Sequence, residues 1–261
     1  MRANVNGTEI EYIDNGEGEN IIVFIHGLGE NIESWRYQID HFSKRNRVIA
    51  LDLRGHGKSR YGKISLETFV EDISALLDEI GVKDVILCGI SMGGAISMAF
   101  YSKYPEKVRA MVLADTSSGF SRETAEIMLS QRMEYIEERG MKELGNFITN
   151  GALSEDASEN LRAKVREMFS SNRDGPYKEA TKVAILSNLD DVLPKIKVPV
   201  LILVGEEDRT TPAVESANHL NNEIKGSELK IIPRAGHLSN LENPEFFNRS
   251  IEEFLMKEVF I

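Results

Sequence analysis

A serine is held between glycines in Gly89-Ile90-Ser91-Met92-Gly93. The pattern G-x-S-x-G belongs to a serine carried on a strained strand-to-helix turn, where flanking side chains would clash and glycine gives clearance. The apolar run "DVILC" precedes it and the helix-like "GGAISMAFYSKY" follows, so the context suits a nucleophile. A serine hydroxyl is weakly nucleophilic near neutrality and needs a base, and the base needs an orienting acid. Of the five histidines, His237 in "RAGHLSN" follows the last apolar run, and Asp208 in "VGEEDRTTP" follows the run 198–205. The order Ser91, Asp208, His237, each after a strand pattern, is the order expected of such an elbow. Glu206, Glu207 and Asp115 are the competing carboxylates. Acyl transfer also needs N–H donors for an oxyanion. The candidates are Met92, opening the helix after the serine, and Leu28 in His26-Gly27-Leu28-Gly29, each worth roughly 3–4 kcal/mol in a transition state.

The elements that must position these groups alternate along the chain. Residues 21–25, 47–52, 84–89, 108–115 and 198–205 are short continuous apolar runs, as expected of strands covered on both faces, and 229–234 is a shorter one. Two short strands within residues 1–14, turning at Gly7, suit an antiparallel edge. Leu66, Phe69, Val70, Ile73, Leu76, Leu77 and Ile80 form one helical stripe, capped by Ser65 and stopped by Gly81. Asn243-Pro244 and Thr211-Pro212 read as helix starts, and Phe246, Phe247, Ile251, Phe254 and Leu255 as the inward face after the first. The expected fold is α/β, with a mostly parallel central sheet of about eight strands and helices on both faces. Residues 119–187 break the rhythm. They are helical in composition and form an expected helical lid insertion, leaving 1–118 and 188–261 as the core domain. Ligands of such a sheet sit beyond the carboxyl ends of the strands, where Ser91, Asp208 and His237 fall.

Composition narrows the function classes. The chain of 261 residues is 41% hydrophobic, enough for a large core. Its net charge of −11 argues against nucleic-acid binding. The single cysteine, Cys88, allows no internal disulfide and lies in an apolar strand, where a thiol is inert. The start "MRANVNGTEIEY" has no apolar h-region, and no run approaches the ~18 residues of a membrane span. A cytoplasmic location is therefore expected. No His-x-His, His-Glu-x-x-His or cysteine pair suggests a metal.

"HGLG", "DLRGHGKS", "GISMGG", "VGEEDRTTP" and "AGHLSNLENPEFFN" together resemble the α/β-hydrolase superfamily over nearly the whole chain outside the insertion. "GISMGG" and the last stretch are similar in particular to its esterase and 3-oxoadipate enol-lactonase branch. The resemblance implies Ser91 as nucleophile, His237 as base and Asp208 as acid, with no metal and no organic cofactor. It gives the "DLRGHGKS" loop with His56 a mainly structural role, and His26 that of shaping the oxyanion loop. His41 and His219 read as surface helix residues. Dehalogenases and epoxide hydrolases of this fold carry aspartate where Ser91 stands. Proline iminopeptidases typically have tryptophan at the position of Met92, and carbon–carbon bond hydrolases often at that of Leu238. The resulting expectation is a carboxylesterase acting on a small-molecule ester. Lactone hydrolysis is the nearest alternative, with thioester cleavage and non-catalytic ligand binding beyond it. Trp35, Met128, Met133, Phe147 and Phe169 are candidate substrate contacts, with core or helix packing as the alternative for each.

Overall fold

A computed structural model of the chain describes residues 1–210 and 213–259. Its eight strands are β1 (Arg2–Val5), β2 (Thr8–Asn15), β3 (Ile21–Ile25), β4 (Arg47–Leu51), β5 (Val85–Ile90), β6 (Val108–Ala114), β7 (Val200–Gly205) and β8 (Glu228–Ile232). They form one sheet in the order β1-β2-β4-β3-β5-β6-β7-β8. The hairpin β1–β2 turns at Asn6-Gly7, both at positive φ, and pairs antiparallel with β4. From β4 to β8 every pairing is parallel.

The apolar runs become strands because both faces of the sheet are covered. In β3, Val23 and Ile25 enter one core cluster, while Ile22 and Phe24 enter the other. Strand ends differ from the sequence expectation by one or two residues. Asp52 and Asp115 lie just past the strand ends, their N–H groups still donating to Glu11 O and Leu203 O, while their carboxylates accept from the backbone N–H groups of Ile32, Lys58 and Gly205.

The core helices are α1 (Arg36–Phe42), α2 (Leu66–Glu79) and α3 (Met92–Lys103). In α2, Ser65 and Thr68 form a reciprocal capping box, and the stripe Phe69, Val70, Ile73, Leu76 and Leu77 is buried. Between β6 and β7 the chain runs through α4 (Arg122–Ala152), α5 (Glu159–Ser170) and α6 (Asp174–Leu186), with no strand among the described residues there. Gly140, at φ 75°, kinks α4. Three further helices follow: α7 (Ala213–Glu223), α8 (Ser239–Glu242) and α9 (Pro244–Glu258). Asn243 caps α9, accepting a hydrogen bond from the Phe246 N–H, and Phe247, Ile251, Phe254 and Leu255 face inward. Phe246 instead sits at the rim beneath the Arg249 guanidinium. The Thr211-Pro212 start signal lies outside the described residues. Among those residues no helix is long and apolar enough to cross a membrane.

Candidate active site

The site is built where β5 stops. Ser91 adopts φ 52° and ψ −120°, a strained conformation that costs of order 1–3 kcal/mol and persists only if its surroundings enforce it. They do. Its N–H donates to Ala114 O at 2.9 Å, and its carbonyl accepts from the Thr116 hydroxyl at 2.7 Å and the Gly94 N–H at 2.9 Å. A side chain on Gly89 would overlap the backbone of Gly93, and one on Gly93 the backbone of Ile25 and His26. The glycines therefore let α3 lie close against the ends of β3 and β5.

Ser91 meets the two other chemistry-bearing side chains. His237 Nε2 lies 3.0 Å from Ser91 Oγ, and His237 Nδ1 lies 2.7 Å from Asp208 Oδ2. A carboxylate only accepts, so Nδ1 carries the shared proton, and in the neutral ring Nε2 is free to accept from the serine hydroxyl. The other Asp208 oxygen accepts from the Thr210 N–H at 2.8 Å. His237 is 7% exposed, and its own N–H donates to Ala152 O, at the end of α4. The insertion thus helps hold the histidine loop. Burial alone would drive His237 neutral, but the Asp208 carboxylate, followed by Asp115 and Glu30, outweighs it and lifts the pKa to about 9.

Asp115, at φ 44° beyond β6, is the second acid of this corner. It does not touch the imidazole ring by hydrogen bond. One oxygen accepts from the Gly205 N–H at 2.7 Å, and the other from the Ser239 hydroxyl at 2.6 Å. It ties together the loops that carry Asp208 and His237. Burial, then the charge of Asp208, pushes its carboxyl far above the usual range. Glu206 and Glu207 point elsewhere: Glu206 accepts from the Arg234 N–H, and neither bonds to His237.

The N–H groups of Leu28 and Met92 donate to no other backbone group among the described residues, and Met92 opens α3, where first-turn donors lack helical partners. Both flank Ser91. The intervening loop is braced by the Ile32 N–H, which donates to Asp52 Oδ1 at 2.8 Å, and by His26, whose Nδ1–H donates to Gly27 O while Nε2 accepts from the Leu53 N–H.

The five candidate substrate contacts separate. Trp35 is 0% exposed and packs on Phe24, with ring centroids 4.8 Å apart, and on Phe247 at 6.1 Å. It is a core residue, closed off because the 3-10 turn Ile32–Trp35 folds back onto the sheet. Phe147 is 55% exposed and leans on Tyr135, so it lines no enclosed space. Met128 and Met133 are half-buried on α4. Phe169 is buried over Gly29, beside the candidate oxyanion loop.

Sequence reasoning missed three groups here. Tyr177 of α6 also lies over Gly29 and clusters with Leu28, Ile136 and Leu144, its hydroxyl accepting from Arg132 at 3.0 Å. Glu242 accepts from the Gly236 and Ser154 N–H groups and joins the insertion to the histidine loop. Glu30 is buried directly after "HGLG", where an acid following an otherwise uncharged loop was the available signal. Burial raises its carboxyl to about 7, against the opposing pull of Ser34, His237 and Gly27. Among the described residues no three His, Cys, Asp or Glu side chains converge in a metal-binding arrangement.

Comparison with known proteins identifies the family. A family model described as alpha/beta hydrolase fold matches residues 20–244. The chain is 27% identical to 3-oxoadipate enol-lactonase 2 of Acinetobacter baylyi, over 90% of this chain and 88% of that one. An enol-lactonase structure from Burkholderia xenovorans superposes with a TM-score of 0.90 at 26% identity, covering 98% of this chain and all of that one. A thermophilic esterase from Thermogutta terrifontis gives the same TM-score and identity, with 98% of each chain covered.

Proposed function

The chain belongs to the alpha/beta hydrolase fold family, and from that premise we propose that it is a serine hydrolase cleaving small carboxylic esters through an acyl-enzyme. The observation that carries this reading is the continuous chain Ser91 Oγ to His237 Nε2 at 3.0 Å and His237 Nδ1 to Asp208 Oδ2 at 2.7 Å. Ser91 attacks the ester carbonyl as its proton passes to His237. Asp208 keeps the ring oriented and stabilises the imidazolium that forms. The oxyanion is received by the Leu28 and Met92 N–H groups. His237 returns the proton to the departing alcohol, and water then repeats the cycle on the acyl-enzyme. Residues 119–187 act as a lid over this site, with Phe169 and Tyr177 closing the oxyanion loop and Met128 and Met133 as further candidates for the acyl or alcohol side.

Lactone hydrolysis by the same three residues is the second reading, favoured by the similarity to enol-lactonases of two bacteria. The chemistry differs only in that the departing oxygen stays tethered to the acyl group. A panel of p-nitrophenyl esters of rising chain length, measured beside an enol-lactone, separates the two. The ester reading expects the highest kcat/KM on a short linear ester. Turnover of the enol-lactone far above every linear ester assigns the second.

A further inference from the structure

Two carboxylates near His237 have their oxygens committed. Asp208 is shared between the imidazole and the Thr210 N–H, and Asp115 between the Gly205 N–H and Ser239. Glu30 differs. It is 2% exposed, and its Oε2 has no hydrogen-bond partner in the protein. An unpartnered buried carboxyl oxygen costs at least 1–3 kcal/mol, so its retention beside the nucleophile asks for a ligand. The position is specific. A side chain on Gly27 would meet Glu30 Oε1 and, at 3.2 Å, Ser91 Cβ. Oε1 therefore lies across Gly27 from the serine, with the unpartnered Oε2 on the same carboxyl group, and the acid stands close enough to His237 for the two charges to shift each other's pKa. Ser34, also fully buried, lowers the Glu30 pKa, while its hydroxyl donates to Met168 Sδ at 3.6 Å.

Deacylation poses a problem that His237 does not solve alone. Water has two hydrogens, and the imidazole can accept only one. A second acceptor fixes the water so that a lone pair faces the acyl carbon, converting a mobile nucleophile into an oriented one. We propose that Glu30 is a catalytic residue of this second half-reaction, accepting one hydrogen of the attacking water while His237 removes the other. The water oxygen bonds to the acyl carbon and one water O–H bond breaks, its proton going to His237 Nε2. The tetrahedral species then expels Ser91 Oγ, which takes that proton. Glu30 keeps its own protonation state throughout and acts by holding the water. This role rests on the serine-hydrolase reading and would leave acylation, where no water is needed, to the triad.

The test separates the half-reactions with a p-nitrophenyl ester. Glu30→Gln preserves shape and removes the charged acceptor. The expected result is a fall in kcat of about 10²-fold, the scale of a lost acid–base contact, with KM falling in parallel and kcat/KM within about threefold of wild type. An acyl-enzyme should then accumulate, visible as a nitrophenol burst and as added mass on the intact protein. Wild-type kcat overturns the proposal, as does a common fall of kcat and kcat/KM, which a merely structural acid would produce. If Glu30→Gln does not fold, Glu30→Asp is measured in the same way: lower kcat at unchanged kcat/KM supports the role, and either of the other two patterns overturns it. Failure of a fluorophosphonate to label Ser91 in the wild type contradicts the serine-hydrolase reading itself. Labelling together with normal turnover by Glu30→Gln contradicts only the part given to Glu30.

Discussion

Two buried polar regions lie at the same end of the sheet, and they are built on opposite rules. Beyond β4, Arg54 Nε donates to Asp72 at 2.6 Å and its Nη1 to Lys63 O at 2.9 Å, while Asn6 also donates to Asp72. Asp52 accepts from the Ile32 and Lys58 N–H groups at 2.8 and 2.7 Å. Each charge there has an opposite charge or several donors. Its two histidines are held neutral by burial, His26 at about 4 and His56 at about 3. Around Ser91 the opposite holds. Asp208, Asp115 and Glu30 all act on one imidazole, raising rather than lowering its pKa. Ser91 and Asp115 have positive φ, as Asn6 does in the first region, and the orphan is an ionisable carboxyl oxygen, where the first region leaves only Nε2 of the neutral His56 without a partner. The first region holds the loops in place by satisfying every charge it can. The second stores strain and like charge, which is where reactivity is expected.

Substitutions across the pair should therefore separate activity from stability. His237→Ala gives the largest effect: kcat is expected to fall roughly 10⁴–10⁶-fold, while the urea midpoint changes little. A comparable loss of stability without loss of turnover would reverse the assignment of the two regions. Arg54→Met comes next. It leaves Asp72 buried without its cation, and urea unfolding should show a loss of about 3–5 kcal/mol, with kcat of the folded fraction unchanged. The smallest effect is one of pH. His237 must be neutral to accept a proton, and its pKa is raised, so kcat/KM should fall about tenfold per pH unit on the acid side of a limb displaced upward from 6.5 toward 9. A limb at or below 6.5 would show that the surrounding carboxylates do not act on it.

Much of this arrangement was legible in the sequence because it is local. The stripe from Leu66 to Ile80 and the cap at Ser65 are written in residue spacing, and the structure uses them as α2 with its capping box. The elbow needs glycine on both sides of Ser91, so the requirement shows in the sequence itself. Burial of side chains in loops is not local. Trp35 follows the oxyanion loop closely enough to look like a substrate contact, but a single 3-10 turn sends it into the core against Phe24. Phe147 and Tyr177 are both aromatic residues of the insertion, yet only the packing of α4 against α6 puts the first in solvent and the second over Gly29. Glu30 has no periodic pattern at all. Its place across Gly27 from Ser91, 61 positions later in the chain, exists only once the chain is folded.

The central claim is that Ser91 is the activated nucleophile of this corner. It is tested most directly by mixing wild-type protein and Ser91→Ala with a fluorophosphonate probe and p-nitrophenyl butyrate, and locating any label by peptide mass. The account predicts one label, on Ser91, together with loss of turnover, and neither label nor turnover in Ser91→Ala. Wild-type turnover by Ser91→Ala, or a label on another residue, would contradict it.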